Sequence, residues 1–470
     1  MRGFRYLFGL DLGEKRGYFS PKPVIFEAFF HQITLTLEEE IREDRIASHR
    51  LRGLLAAAIA VSAIAVPAIS ALPANAATEL TFWSWRPEDK VFYEKEAAIF
   101  KEKTGISVKF TPYVATEYNA LLATALTAGS GPDVMQIRAY GGMSALSDAG
   151  NFLALTSKDV PALKSMAPGT LQGTQGYANK SVFGLPYATS VLGVMYNPDL
   201  LKKAGVKALP QTWASFISAL KMVKAAGYLP LGNGTGYAPG LEQLWGAVGP
   251  TFYGGTSFFN DVVAGKRSFT DKNFVASLQA VKDLMAYMPE GAAALDYNTA
   301  RGLFANEKAA FYIGGNYEIS YFRTLNPSLN VGWMPGPSAA TGAKKYVTNW
   351  TDGGFAINAK TTHKAEALKF LNFLASKDFA QAAADELGWI STAKYIKATD
   401  PAVISMIRAI PSSGTPFLTL VGFRYGTPTS SATMQPGFQK VASGASTPES
   451  LAKDIQAAIA SWYAPQKGKA

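Results

Sequence analysis

The 470-residue sequence contains no cysteine and only three histidines, of which only His363 lies beyond residue 49. The lack of cysteine excludes disulfides, thiol nucleophiles and thiolate ligands for zinc or iron–sulfur clusters. With one histidine in the main part of the chain, a Ser-His-Asp or Cys-His site has no plausible general base, and an imidazole zinc site lacks a second ligand. No G-x-x-x-x-G-K-[ST] phosphate loop occurs. We therefore expect no catalytic triad, no metal site and no cofactor.

Charged residues are also scarce, at 17% of the chain, and 45 Lys and Arg against 35 Asp and Glu give a net charge of +10. A basic balance can favour nucleic acid or an anionic membrane surface as a partner. The basic residues are scattered without a dense run, so we expect no nucleic-acid partner. The hydrophobic fraction of 48% is typical of a globular protein, and the length predicts two or three domains.

Residues 45–76 have the pattern of a secretory signal. A basic start precedes an apolar run at 54–66 and a small-residue A-x-A sequence that ends at Ala76. The apolar run is shorter than the ~20 residues that a membrane-spanning helix needs. We expect cleavage before Ala77 and an exported protein, periplasmic or extracellular, that is at most peripheral to the membrane.

Residues 1–44 precede this signal, whereas a signal peptide normally lies at the start of a chain. We interpret them as a probable non-native upstream extension from an over-extended start site, with a cytoplasmic extension as the alternative. Lipid anchoring of bacterial proteins needs a cysteine at the mature N-terminus, so we expect no lipid anchor.

Beyond residue 76, short apolar runs alternate with amphipathic segments. The predicted strands lie at 80–83, 106–110, 133–137, 191–196, 309–313 and 354–357. Helices separate several of them, with Gly105 placed to end one helix and Thr212 placed to cap the start of another. Strands that alternate with helices are typical of parallel sheets covered on both faces. The sequence therefore predicts two α/β lobes.

Aromatic residues make up 12% of the chain, and five of the eight tryptophans lie in predicted loops. A flat indole can pack against the C–H face of a pyranose, while nearby polar side chains bond the sugar hydroxyls. Core packing is an equal alternative for each loop tryptophan, whereas Trp213 and Trp462 have the helical spacing of core residues. The aromatic loops favour a carbohydrate ligand.

A pair of carboxylates would suffice for a secreted glycoside hydrolase. The candidates at strand or loop ends are Asp133, Glu242, Asp296, Glu318 and Asp352. Any chain of this length offers such pairs, so this alternative stays open, as does a passive adhesin that binds insoluble polymer.

Several stretches resemble the extracellular solute-binding proteins of family 1, the maltose-binding-like receptors of ABC sugar importers. Their order and spacing match that family from about Leu80 to Tyr463. The matching stretches are Gly131-Pro-Asp133-Val, Gly184-Leu-Pro-Tyr187-Ala, Pro210-Gln-Thr212-Trp213, Lys308-Ala-Ala310-Phe-Tyr-Ile-Gly-Gly315-Asn-Tyr317 and Gly353-Gly-Phe-Ala-Ile357.

This resemblance implies a two-lobe periplasmic-binding-protein fold, in which each lobe is a mostly parallel sheet flanked by helices. It places lobe 1 at 77–187 and 331–376, and lobe 2 at 188–330 and 377–470. It also implies a monomeric, non-enzymatic subunit of an ABC importer that traps a sugar or oligosaccharide in the interlobe cleft and delivers it to the permease subunits. A polyamine or iron receptor is the alternative if no sugar binds.

The resemblance also suggests which residues contact the ligand. The predicted ligand-binding residues are Trp83, Trp85, Arg138, Tyr140, Tyr187, Asn233, Trp245, Asn316, Tyr317, Trp350, Asp352 and Trp389. The carboxylate of Asp133 is predicted instead to cap or turn backbone in its loop.

Overall fold

The computed structural model describes residues 78–393 and 395–469. The predicted signal segment at 45–76 and the extension at 1–44 lie outside the described residues. The strands are β1 (Glu79–Ser84), β2 (Ser107–Pro112), β3 (Val134–Arg138), β4 (Leu185–Pro186), β5 (Ala188–Tyr196), β6 (Leu229–Leu231), β7 (Ala309–Gly315), β8 (Gly332–Met334), β9 (Val347–Thr351), β10 (Gly353–Ile357), β11 (Ile390–Ser391) and β12 (Gly414–Pro416).

The helices surround these strands. They are α1 (Lys90–Thr104), α2 (Tyr118–Ala128), α3 (Gly141–Asp148), α4 (Pro168–Leu171), α5 (Pro198–Lys203), α6 (Trp213–Ala225), α7 (Ala238–Val248), α8 (Pro250–Tyr253), α9 (Gly255–Val263), α10 (Lys272–Met285), α11 (Tyr297–Ala305), α12 (Glu318–Leu325), α13 (Lys364–Leu374), α14 (Lys377–Glu386), α15 (Pro401–Ser413), α16 (Leu418–Gly422), α17 (Ser430–Ala442) and α18 (Pro448–Ala460). No helix in the described part of the chain is both long and apolar enough to cross a membrane.

The described strands form two sheets, as the predicted two-lobe α/β fold requires. The first has the order β2-β1-β3-β10-β4, and the second has the order β12-β9-β5-β7-β6, with β8 and β11 also paired to β5. In the first sheet only β10 runs against the other strands. In the second only β5 does so. Each sheet is therefore mostly parallel. The reversed strand of the first sheet, β10, follows β9 of the second sheet, and the reversed strand of the second sheet, β5, follows β4 of the first.

The chain crosses between the sheets at three places in the described residues. Tyr187 separates β4 from β5, and Asp352 separates β9 from β10. The third crossing is near Trp389, which packs in the first core just before β11 joins β5 of the second sheet. Short crossings of this kind let two rigid lobes move relative to each other about a few residues.

The sheets divide the chain at positions that differ from the predicted lobe boundaries. β8 and β9 lie in the stretch 331–376 predicted for lobe 1, but both pair with β5 of the second sheet. Helix α14 was predicted for lobe 2, yet its Phe379 packs in the first core. Strand pairing and packing thus place the changes of lobe at Asp352 and Trp389 instead of at 331 and 377.

Local sequence signals explain several helix ends. Gly105 follows α1 with φ of 74°, a left-handed conformation that favours glycine. At the start of α6 the Thr212 side chain accepts a hydrogen bond from the Ser215 amide. Both predictions are confirmed.

Each sheet has its own hydrophobic core. The first is centred on Phe82, Tyr93 and Phe370, and the second on Phe216, Trp245 and Phe274. Because each lobe has a core of its own, the surfaces between the lobes are free to carry polar and aromatic groups.

Candidate ligand-binding cleft

Strands of both sheets end at the boundary between the lobes. In open α/β sheets, ligands bind beyond the carboxyl ends of the strands. Six residues lie at or after the ends of these strands. In the order β1, β3, β4, β6, β7 and β9, they are Trp85, Arg138, Tyr187, Tyr237, Tyr317 and Asp352. We call these six residues the cleft cluster.

Arg138 and Trp85 form the first-lobe side of the cleft cluster. The guanidinium carbon of Arg138 lies 3.9 Å from the centroid of the Trp85 ring, within the range of a cation–π contact. Arg138 Nη2 also donates a hydrogen bond to the Ala115 carbonyl at 3.4 Å. Burial lowers the pKa of Arg138, although the charge of Asp352 acts in the opposite direction. Arg138 is half-buried, so its guanidinium is a cation that is only partly removed from water.

Tyr187 and Asp352 join two of the crossings. The Tyr187 hydroxyl donates to Asp352 Oδ2 at 2.7 Å, and the Ser190 hydroxyl donates to Oδ1 at 2.8 Å. The Tyr187 ring lies 4.6 Å from the ring of Trp389 at the third crossing. Burial, followed by the charge of Asp352, raises the pKa of Tyr187. These contacts tie the three crossings into one polar and aromatic hinge.

Tyr317 brings an unsatisfied hydroxyl to the cleft cluster. This hydroxyl is buried and has no hydrogen-bond partner among the described residues. The ring lies over Gly315, where an added Cβ would approach Tyr317 Cε1 to 2.2 Å, so only glycine leaves room for it. Burial raises the pKa of Tyr317, and the charges of Glu318 and Asp352 raise it further. The hydroxyl thus stays protonated and retains an unused hydrogen-bond donor.

Tyr237 belongs to the cleft cluster but was missed in the sequence. Its ring stacks on Tyr297 with centroids 4.7 Å apart. Burial raises the pKa of Tyr237, while the positive charge of Arg138 in the other lobe lowers it. The glycine-rich segment 232–236 drew attention only as a weak nucleotide fingerprint. The short strand β6 before it was not recognised, and it would have marked Tyr237 as a residue beyond a strand end.

Charged side chains connect the lobes beside the cleft cluster. Arg86 Nη2 of the first lobe donates to the Tyr317 carbonyl at 3.4 Å and to the Ser320 hydroxyl at 3.2 Å in the second. Glu88 Oε1 lies 3.6 Å from Arg301 Nη1. We call Arg86, Glu88, Arg301 and Ser320 the ionic contact.

Buried carboxylates hold both arginines of the ionic contact in place. Arg86 Nε lies 2.5 Å from Asp89 Oδ2. Arg301 Nη1 lies 3.4 Å from Oε2 of Glu318, whose other oxygen accepts from the Tyr297 hydroxyl at 2.7 Å. Burial raises the pKa of Glu318, and the charge of Arg301 opposes that rise. The ionic contact therefore depends on paired charges that are removed from water.

A second contact between the lobes depends on close packing. The Tyr140 hydroxyl accepts a hydrogen bond from the Thr351 amide at 3.3 Å. A Cβ on Gly141 would lie 2.2 Å from the carbonyl oxygen of Arg424. We call Tyr140, Gly141, Thr351 and Arg424 the packing contact. Tyr140 thus lies between the lobes, although its side chain is buried.

The structure places three other predicted site residues next to strands. Trp83 is half-buried in β1, with its ring 4.7 Å from that of Tyr113. The Asn233 amide exchanges two 2.8 Å hydrogen bonds with the backbone of Ile313. Asn316 Oδ1 accepts from the Val191 amide at 2.9 Å. Both asparagine side chains are therefore engaged with strand backbone.

Two predicted tryptophans do not belong to the cleft cluster. Trp245 is 0% exposed in the second core, and its indole N–H donates to the Ser277 hydroxyl at 2.8 Å. Trp350 is in the same core, with its ring 5.1 Å from Phe417. Helix α7 and strand β9 turn both side chains into this core, and their assignment as ligand-binding residues stays a prediction.

Asp133 has the structural role that the sequence predicted. Its carboxylate accepts hydrogen bonds from the Thr81 amide at 2.9 Å and the Thr81 hydroxyl at 2.8 Å, and from the Thr361 hydroxyl at 2.5 Å. Burial alone would raise its pKa, but these hydrogen bonds outweigh burial and lower it.

Comparisons with known proteins identify the family and the fold of this chain. The family model for bacterial extracellular solute-binding proteins matches residues 85–381. The multiple sugar-binding protein of Streptococcus mutans is 25% identical over 285 residues, which cover 58% of this chain and 65% of the relative. The matched part thus spans less than two thirds of that relative's length.

Solved structures share the fold. A chitin oligosaccharide binding protein has a TM-score of 0.71 and 20% identity, with 83% of this chain and 99% of that chain covered. RafE in complex with raffinose has a TM-score of 0.69 and 21% identity, with 83% and 100% covered. Since the family model matches more than half of the chain, this protein belongs to the bacterial extracellular solute-binding proteins.

Proposed function

We propose that this protein is the substrate-binding subunit of an ABC importer and captures a sugar or oligosaccharide in the cleft between its lobes. The observation that carries the proposal is the cleft cluster, in which aromatic rings and unfilled hydrogen-bond donors come from both lobes. Trp85 and Arg138 come from the first lobe, and Tyr237 and Tyr317 from the second. Aromatic faces with a few placed polar groups suit a pyranose ligand.

The similar proteins support a saccharide ligand. The S. mutans relative is named for binding multiple sugars, and similar structures are those of a chitin oligosaccharide binding protein and of RafE with raffinose. We further propose that the protein is exported, acts as a monomer and passes its ligand to permease subunits. Contacts to both lobes would favour the closed arrangement over an open one, which the permease would recognise.

We also propose that the protein binds without catalysis. A glycosidase would need one carboxyl group as acid and a second as nucleophile or base. Asp352 accepts from Tyr187 and Ser190, and Glu318 is fully buried with Tyr297 and Arg301. These two of the five candidate carboxylates are therefore engaged within the protein, which favours a structural role for each.

The test is a melting and fluorescence screen of the purified protein with raffinose, lactose, maltotriose and chitobiose. A ligand at 100 times its dissociation constant stabilises the folded state by about 2.7 kcal/mol. We expect at least one saccharide to raise the melting temperature. If neither these neutral saccharides nor charged ones raise the melting temperature or change the tryptophan fluorescence, the proposal of a sugar receptor is wrong.

Tyr317→Phe gives a sharper version of this test. It removes a hydroxyl that has no hydrogen-bond partner within residues 78–393 and 395–469, so the ligand-free protein should keep or gain stability while saccharide affinity falls. Tyr463→Phe is the matched control, because that hydroxyl donates to the Val263 carbonyl at 2.9 Å. The control should lose about 1 kcal/mol of stability and keep its saccharide affinity.

A further inference from the structure

We propose that the saccharide bound by this protein carries a carboxylate, and that Arg138 is the residue that receives it. This inference rests on the proposed function and narrows the class of its ligand. It comes from a contrast among the three arginines beside the cleft, Arg86, Arg138 and Arg301.

Two of these arginines are neutralised by the protein itself. Arg86 makes two hydrogen bonds to Asp89, at 2.5 and 3.2 Å. Arg301 lies 3.4 Å from Glu318 and 3.6 Å from Glu88. Burial alone would lower the pKa of both arginines. The charges of Asp89 and Glu88 outweigh it and raise the pKa of Arg86, and Tyr297, Glu318 and Glu88 raise that of Arg301.

Arg138 has no such partner. Among residues 78–393 and 395–469 no carboxylate oxygen lies within 4 Å of its guanidinium, and its one hydrogen bond is the 3.4 Å contact with Ala115. The charge of Asp352 acts on it from a greater distance, and both Asp352 oxygens already accept from Tyr187 and Ser190. A guanidinium has five N–H donors, so most of those of Arg138 remain unused.

A carboxylate fits this guanidinium better than a neutral hydroxyl does. Arg138 is half-buried, and a charge that is partly removed from water gains from a partner that pairs with it and forms hydrogen bonds to it. The planar fork of arginine matches the two oxygens of a carboxylate, and such charge-assisted pairs are about twice as strong as neutral hydrogen bonds. Trp85 supports one face of Arg138 at 3.9 Å, which leaves the edge of the fork for the ligand.

A uronic acid sugar would satisfy both parts of the cleft cluster. Its carboxylate would bind Arg138, and its ring and hydroxyls would contact Tyr237 and the unpartnered hydroxyl of Tyr317 from the other lobe. Ligand contacts on both lobes would couple recognition of the charge to closure. The net charge of +10 adds a long-range attraction for an anion.

The experiment is a calorimetric titration of the full chain with matched saccharide pairs. Each pair differs at the carboxyl group: trigalacturonate against its methyl ester, and cellobiouronic acid against cellobiose. A sulfated oligosaccharide tests whether any anionic group suffices. We expect an acidic member to bind at least about tenfold more tightly than its neutral partner, with an affinity that falls as NaCl is added.

The outcomes separate this inference from the proposed function. If the tightest ligand of this panel and of the neutral-sugar screen is neutral, Arg138 does not select a carboxylate, although a sugar receptor remains. If the sulfated sugar binds more tightly than every uronide, the carboxylate assignment is overturned. If no saccharide binds at all, the proposed function itself fails.

Arg138→Gln assigns the effect to the residue. It should abolish the preference for the acidic member while the neutral member changes less than about threefold. Arg408→Gln removes the same charge from an exposed position on α15 and should leave the preference intact. If Arg138→Gln lowered the affinity for the acidic and the neutral member equally, Arg138 would bind sugar hydroxyls and not a carboxylate, and the inference would be overturned. If Arg138→Gln does not fold, titration of the unmodified protein with the matched pairs still tests whether the acidic member is preferred.

Discussion

The two contacts between the lobes depend on different interactions, charge pairing in one and close packing in the other. The ionic contact joins Glu88 to Arg301 and Arg86 to Ser320 through long side chains whose charges are anchored by carboxylates. The packing contact sets Gly141 against the Arg424 carbonyl, with no room for even one added carbon. The side chains of the ionic contact can change rotamers, and their attraction weakens as salt is added. The packing contact permits only one spacing between the lobes.

This difference suggests a division of tasks in closure. A charged pair attracts the lobes before they touch, but each partly exposed pair contributes little net stability. Close packing contributes only when the surfaces meet, and then defines the final position. The predictions below test each contact separately, from the largest expected effect to the smallest.

Arg301→Gln should have the largest effect, because it leaves the buried Glu318 carboxylate without its cation. Breaking a buried ion pair in this way costs about 3–5 kcal/mol. The raised pKa of Glu318 would rise further, so the folded state would bind a proton more readily than the unfolded state. Stability must then increase as the pH falls.

Chemical unfolding of Arg301→Gln at several pH values checks this prediction. The deficit relative to the unmodified protein should shrink from pH 8 to about pH 5, because protonation of Glu318 removes the buried charge. A deficit that stays constant over this range would mean that Arg301 contributes through packing instead, as its 3.4 Å contact with the Tyr321 ring would allow.

Gly141→Ala should have an intermediate effect on closure. The added Cβ would lie 2.2 Å from the Arg424 carbonyl oxygen, and overpacking of this kind costs about 1–3 kcal/mol. With the tightest-binding saccharide present, small-angle scattering should show a larger radius of gyration than that of the unmodified protein.

Gly169→Ala is the control for Gly141→Ala, because a Cβ at Gly169 meets nothing within 4 Å. It should close normally. Equal scattering from both variants would show that the packing contact does not define the closed spacing.

Glu88→Gln should have the smallest effect. It removes the charge that faces Arg301 at 3.6 Å, but the Glu88 side chain is partly exposed, so we expect a loss of at most about 1 kcal/mol in ligand affinity. Titration at low and high NaCl should show the difference only at low salt.

The control for Glu88→Gln is Glu94→Gln, which removes a charge from the exposed Lys90–Glu94 pair within α1. Its saccharide affinity should not change. A loss as large as that of Glu88→Gln would point to the net charge of the first lobe and not to the ionic contact.

Local patterns in the sequence predicted most of the fold. The alternation of apolar strands and amphipathic helices, the helix end at Gly105 and the cap at Thr212 all depend on neighbouring residues, and all are present. The lobe boundaries near 331 and 377 could not be found in this way. Whether β9 pairs with β5 or with a strand of the first sheet depends on contacts between distant parts of the chain.

The candidate site was predicted less completely, for the same reason. The sequence analysis placed both Trp85 and Trp245 in loops, although Leu241, Leu244 and Val248 give Trp245 the spacing of a buried helical face. In the structure Trp85 lies beneath Arg138 at the lobe boundary, and Trp245 is in a core with its N–H bonded to Ser277. Tyr237 was missed because the strand before it has only three residues.

The sequence by itself determined the two α/β lobes and made a catalytic triad implausible, because periodicity and residue inventory are properties of the chain alone. It also identified Asp133 as a structural carboxylate. Only the tertiary structure decided that Arg86 and Arg301 are paired, while Arg138 has no carboxylate partner in the part of the chain that the structure describes. Charge pairing depends on distances of a few ångströms between residues far apart in sequence, and those distances exist only after the sheets have formed.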